Sequence, residues 1–102
     1  HLRKWGEPEG RVDEAVRRGR LYLEAGADCV YPIFLNEPVE LTRFVTEVGG
    51  PVNTVFLPGG MSLKEMADCG VARVTYGSAL ARANGAWLAD AARKIAAGES
   101  PY

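Results

Sequence analysis

The chain has 102 residues, 47% hydrophobic and 25% charged, which bounds it to one soluble globular domain or part of one. A net charge of −1 and a pI near 5.8 give no electrostatic footing for nucleic acid or an anionic membrane surface. No apolar run approaches the ~20 residues of a membrane span and no signal-peptide pattern opens the chain, so a cytoplasmic setting is expected.

Residues 1–11, with glycines, a proline and mixed charges, read as a loop, and an opening on His1 rather than Met suggests a piece of something longer. Residues 12–24 have a helical stripe of Val12, Ala15, Val16, Gly19, Tyr22 and Leu23, with Asp13–Arg17 and Glu14–Arg18 as i,i+4 ion pairs. The basic patch of Arg17, Arg18 and Arg20 alternates with acids and reads as a solvated helix face. Gly26 stops this helix. The run CVYPIFL, residues 29–35, is apolar throughout, as expected of a strand buried on both faces of a parallel sheet.

Asn36 is the expected cap of a second helix whose first turn holds Glu37 and Pro38 and whose buried stripe is Leu41, Phe44, Val45 and Val48. Gly49, Gly50 and Pro51 end it, and VNTVFL, residues 52–57, is a second strand. Pro58, Gly59 and Gly60 form a loop at its C-terminal end. Ser62 and Glu65 spell a capping box for a short helix over residues 62–69.

After Gly70, the residues Val71, Val74, Thr75 and Tyr76 suggest a third buried strand. Gly77 turns the chain and Ser78 stands where the cap of a last helix, residues 79–97, belongs. Its apolar side is Leu80, Trp87, Leu88, Ala91 and Ile95, and residues 98–102 are a frayed tail. Cys29 and Cys69 have no metal-ligand spacing and read as small buried residues.

Strands alternating with helices call for a parallel sheet with right-handed crossovers, an α/β fold. Three strands and four helices make just under half of a closed TIM (β/α)8 barrel, which needs roughly 250 residues. The expected organisation is a single partial barrel domain over residues 1–102, with its α/β units in residues 12–97.

The string from EAVRRGRLYLEAGADCVY through GGPVNTVFLPGGMSLKEMADCGVARVTYGSALARA resembles the C-terminal part of the isocitrate lyase and phosphoenolpyruvate mutase superfamily. In that family a helix ending in AGAD leads into the sixth strand and GPVN opens the seventh. The pattern S-L-x-E-M/L-x-x-x-G-V-x-R-V then leads to the eighth. The resemblance covers most of residues 12–83 and implies a barrel enzyme that uses Mg²⁺ to make or break C–C or P–C bonds in small 2-oxo acids. Methylisocitrate, oxaloacetate and phosphonopyruvate are substrates of this type.

The chain departs from that pattern. The acidic metal-binding segments, the catalytic loop and an arginine motif at the fifth strand belong to a front half that is not in these 102 residues. Where the sixth strand ends in an acid, Tyr31, Pro32 and Ile33 stand instead. The resemblance therefore implies Mg²⁺ held by residues outside this chain, and an isolated chain without activity. It favours the shorter branch of the superfamily over true isocitrate lyases.

No side chain here is an obvious general base or nucleophile, so no catalytic residue and no metal ligand is expected. Asn53 is the leading substrate-binding candidate. An amide in an otherwise apolar strand needs a partner, which is either a substrate carboxylate or neighbouring backbone. Gly59 and Gly60 lie at the strand end where barrel chemistry occurs, and Gly77 and Ser78 form a strand-to-helix corner that aims N–H groups at an anion or serves only as turn and cap. Tyr31 and Tyr76 are expected to fill the barrel, and Trp87 to face the core or a second subunit. In the superfamily the last helix often packs on a neighbouring subunit, so the resemblance implies a homo-oligomer through that helix. The expected partner is otherwise a small 2-oxo acid. Two further readings are a non-catalytic α/β fragment or assembly module, and another barrel class that grips phosphate at Gly77 and Ser78.

Overall fold

A computed structural model describes residues 10–102, so the expected loop over residues 1–11 and His1 itself lie almost wholly outside the described residues. Helix α1 (Arg11–Glu24) packs against α2 (Pro38–Val48), followed by strand β1 (Asn53–Val55), α3 (Leu63–Asp68), strand β2 (Arg73–Thr75) and α4 (Ala79–Ala96). β1 and β2 are parallel, with Asn53 opposite Arg73, Thr54 opposite Val74 and Val55 opposite Thr75. α3 is the crossover between them.

The first expected strand shrinks to one parallel bridge, Val30 to Val52, in which Val30 N–H donates to Pro51 O and the Val30 carbonyl accepts from Asn53 N–H. The sequence explains why the rest does not extend. Pro32 has no N–H, and Phe34 adopts φ 76°, a left-handed conformation that costs a non-glycine residue and ends any extended run. A turn follows, closed by Leu35 N–H to Pro32 O.

The core lies between the helices and one face of the strands. Val12, Ala15 and Val16 of α1 meet Leu41, Phe44 and Val48 of α2, together with Val30, Leu35, Val52 and Met66. Phe44, Leu35 and Leu41 are almost completely buried, and each such side chain contributes on the order of 2 kcal/mol by leaving water. Gly19 permits the close helix approach. A Cβ there would lie 2.5 Å from Val48 Cγ2, so only hydrogen fits between the two helices. Tyr22, expected on the buried stripe, instead stands 58% exposed beyond the contact.

Charge stitches the same pair together. Arg11 forms a two-oxygen contact with Glu40, Arg20 donates to the Glu47 carbonyl, and Arg43 reaches Asp13 across the helix gap. The expected Asp13–Arg17 pair is therefore replaced by Asp13–Arg43, and Glu14 takes both Arg17 and Arg18. Those two guanidinium groups, Arg17 first, hold the Glu14 carboxyl down to about 2.

The helix ends partly follow the sequence. The Ser62 capping box forms as expected, with Ser62 Oγ accepting from Glu65 N–H and Ser62 N–H donating to Glu65 Oε2, which lowers the Glu65 pKa. The cap of α2 is Glu37 rather than Asn36, one residue later, because Pro38 already occupies the first turn. Gly49 closes α2 at φ 82°.

Among the residues of α4 only Ala91 is buried, while Leu80, Trp87, Leu88 and Ile95 are all more than half exposed. The apolar side expected for this helix is present, but the described residues of this chain do not cover it.

Candidate functional site

Side chains alternate along β1 and β2. Val74, like neighbouring Val52, turns toward the helical core, with Thr54 buried on the same side. Asn53, Val55, Arg73 and Thr75 leave the opposite face. On that face Arg73 Nε donates to Asn53 Oδ1 at 3.1 Å, and Asn53 Nδ2 donates to Thr75 Oγ1 at 3.5 Å. The Thr75 hydroxyl in turn donates to the Thr54 carbonyl at 3.2 Å. Asn53 is thus satisfied by two side chains of the neighbouring strand, a partner set that neither alternative at the sequence level contained.

The other candidates lie elsewhere. Gly59 and Gly60 follow the C-terminal end of β1, where Gly60 N–H closes a turn onto Leu57 O. Gly77 leaves β2 at φ 52°, with Val55 Cγ2 3.7 Å from the position of a Cβ, so a side chain here would be strained by backbone geometry. At ~3.3 Å per strand residue, the Gly77–Ser78 corner stands about 13 Å along β2 from Arg73. The five candidates therefore fall into a pair-level network around Asn53 and a rim formed by the two loops.

Ser78 holds the N-cap position of α4 but makes no capping bond. Its backbone is already near-helical (φ −92°, ψ 5°), which points the hydroxyl away from the first-turn N–H groups. Ser78 Oγ accepts instead from Arg82 Nη1 at 2.6 Å. Tyr31 and Tyr76 are 40% and 38% exposed, and Tyr76 tilts against Phe56 with ring centroids 5.4 Å apart. Both rings thus remain partly open rather than buried.

A cleft of about 220 Å³ opens between α1 and residues 30–34, lined by Gly19, Tyr22, Val30, Tyr31, Pro32 and Phe44 among others. None of the five candidates lines it. Cys29 and Cys69 are free thiols, the second buried at the end of α3. Among the described residues no three His, Cys, Asp or Glu side chains converge, so those residues offer no donor set that fits Mg²⁺. No helix of the described residues is long and apolar enough to cross a membrane.

The pattern of the phosphoenolpyruvate phosphomutase family matches residues 2–96. The chain belongs to that family. Two uncharacterized proteins from two strains of Mycobacterium tuberculosis are each 34% identical over 95 residues, covering 93% of this chain and 36% of their own length. A crystal structure from Burkholderia cenocepacia J2315, provisionally assigned as a lyase/mutase, superposes with a TM-score of 0.74 at 37% identity, covering 82% of this chain and 31% of that one. A second from the same organism, provisionally assigned as a phosphonomutase, gives a TM-score of 0.82 at 26% identity, over 90% of this chain and 38% of that one. The chain spans about a third of the length of the relatives it matches. Its parallel strands and crossover helices are those of a phosphoenolpyruvate phosphomutase family member, as the order of the AGAD, GPVN and S-L-x-E-M motifs implied.

Proposed function

We infer that this chain is the C-terminal part of a barrel enzyme that makes or breaks a C–C or P–C bond in a small 2-oxo acid. The observation that carries this reading is the Asn53 network on the strand face turned away from the helices, in a chain of this family. The loop holding Gly59 and Gly60 and the N–H groups of the Gly77–Ser78 corner form the substrate end of the strands, and Asn53 supports it from the first residue of β1. The 2-oxo acid carboxylate is the group these donors fit. Mg²⁺, where the whole enzyme uses it, is held by acidic residues outside this chain, and the isolated chain is inactive.

The exposed row of Leu80, Trp87, Leu88 and Ile95 supports a homo-oligomer built through α4. The same row favours the second reading, an assembly module without catalysis. One experiment separates them. The coding DNA upstream of His1 is read, and the complete open reading frame is assayed with Mg²⁺ for pyruvate release from phosphonopyruvate, oxaloacetate and methylisocitrate.

An in-frame acidic strand and catalytic loop, with turnover of one substrate, supports the enzyme. An unrelated upstream sequence, or a start codon at this point, leaves the assembly module. Light scattering tests the contact itself: Trp87→Asp with Leu88→Asp shifts the species from oligomer to monomer, and a wild-type monomer at high concentration refutes it.

A further inference from the structure

The strand face that carries the Asn53 network holds a cation and no anion. Arg73 and Asn53 are the first residues of β2 and β1 and stand opposite one another in the register. Their contact therefore lies at the N-terminal end of the strands. In a barrel the chemistry occurs at the other end, and the N-terminal end serves stability. What Arg73 calls for at that end is a structural partner, not a substrate.

A guanidinium carries only donors, so the amide atom facing it is Asn53 Oδ1, and Nδ2 is thereby turned to Thr75. The Thr75 hydroxyl donates to the Thr54 carbonyl. Asn53 and Thr75 are thus matched to one another and to the strand backbone. Arg73 uses only Nε, and its two terminal nitrogens meet no acceptor among the described residues.

The chain spans about a third of the length of its relatives, so in a whole barrel this face is turned inward and covered by other strands. A barrel interior is a packed core. A guanidinium enclosed there keeps its charge, and an unpaired buried ion is strongly unfavourable. The fork of two terminal nitrogens matches the two oxygens of a carboxylate. β1 and β2 contain no Asp or Glu. A second copy of this chain laid on the same face would bring Arg73 another guanidinium and no counter-charge.

We propose that Arg73 is one half of an ion pair inside the closed barrel. The other half is an Asp or Glu at an inward position near the N-terminal end of a strand in the part of the polypeptide that precedes these residues. The pair docks β1 and β2 onto the rest of the barrel, and Asn53 and Thr75 hold the guanidinium in line for it. This rests on the reading of the chain as the C-terminal part of a barrel enzyme, and it is independent of which substrate that enzyme takes.

The test uses the complete protein encoded by the reading frame that contains these residues, with thermal unfolding and turnover measured side by side. Arg73→Met lowers Tm by about 5 °C or more, because it leaves the facing carboxylate unpaired in the interior. Each Asp and Glu in the strands ahead of His1 is then changed to Asn or Gln, alone and together with Arg73→Met, as a set of double-mutant cycles. One acid is expected to couple. Its replacement lowers Tm in the wild type and is neutral or stabilising once Arg73 is gone. Arg73→Glu combined with an arginine at that position recovers part of the lost Tm. Where Arg73→Met does not fold, Arg73→Lys, which keeps the charge but not the fork, starts the same cycles.

Strictly additive losses for every one of those acids overturn the pair, as does an Arg73→Met protein that melts within about 1 °C of wild type. Turnover of a 2-oxo acid without a coupled acid refutes the pair and leaves the enzyme reading standing. A coupled acid without turnover does the reverse. An unrelated upstream sequence overturns both.

Discussion

Gly19→Ala puts the α1–α2 contact to a quantitative test. In an isolated helix the change stabilises, because alanine exceeds glycine in helix propensity by ~1 kcal/mol. Here the added methyl would sit 2.5 Å from Val48 Cγ2 and 3.2 Å from Phe44 Cζ. Both neighbours are at most 2% exposed, and Val48 is a short β-branched side chain with no other rotamer to adopt freely in a helix. The helices have to separate, an overpacking cost of about 1–3 kcal/mol.

The net expectation is a loss of about 1 kcal/mol, or a fall in Tm of roughly 4–8 °C for a domain of this size. Val48→Ala removes the obstruction, at its own cost on the order of 2 kcal/mol. In that background Gly19→Ala changes sign and stabilises by about 1 kcal/mol. Urea unfolding of the four proteins completes a double-mutant cycle. A stabilising effect of Gly19→Ala with Val48 intact would refute the close approach of α1 and α2.

Three smaller expectations follow from the helix ends and from Glu14. Ser62→Ala removes the hydroxyl half of the α3 capping box, leaving the backbone N–H of residue 62 to donate to Glu65, and costs about 1 kcal/mol in urea unfolding. Ser78→Ala, at the other cap position, costs less than about 0.5 kcal/mol because no capping bond is present to lose. A cost equal to that of Ser62→Ala would show that the Ser78 hydroxyl does cap α4. The folded pKa of Glu14 lies below the ordinary 4.5, at about 2, so its contribution to stability is complete above 4.5 and is lost as the pH falls toward 2. Glu14→Gln has a shallower fall in unfolding midpoint over that window, and identical pH profiles for the two proteins would contradict the Arg17 and Arg18 contacts.

What the sequence made legible is what local chemistry decides. Ser62 and Glu65 are three residues apart and need nothing else to form their box, and Leu41, Phe44 and Val48 share a face by helical period alone. Residues 29–35 failed as a strand because extension depends on a hydrogen-bonded neighbour, and an apolar run states only that burial is wanted. Ser78 failed as a cap because its backbone angles, not its hydroxyl, decide what the side chain reaches.

The candidate site was half legible. An amide in VNTVFL signalled that a partner exists, but its partners sit twenty and twenty-two residues away and are set by strand register. The one available sign of Arg73 was a charge inside VARVT, a run of otherwise strand-like residues. Asp13 similarly chose Arg43 over Arg17, since helix spacing allows one pairing and the α1–α2 packing supplies the other.

α4 has a consequence for how this chain can change over time. A helix of eighteen residues that places only Ala91 in the interior is nearly invisible to the folding equilibrium of the rest. Substitutions at Leu80, Trp87, Leu88 and Ile95 cost the fold little, because exposed positions away from caps and buried networks shift stability by only about 0.5 kcal/mol. Any restraint on those four positions therefore comes from outside the described residues of this chain. Among relatives, their drift or constancy is a record of what the helix rests against, whereas variation at Gly19 or Phe44 records only the demands of the core.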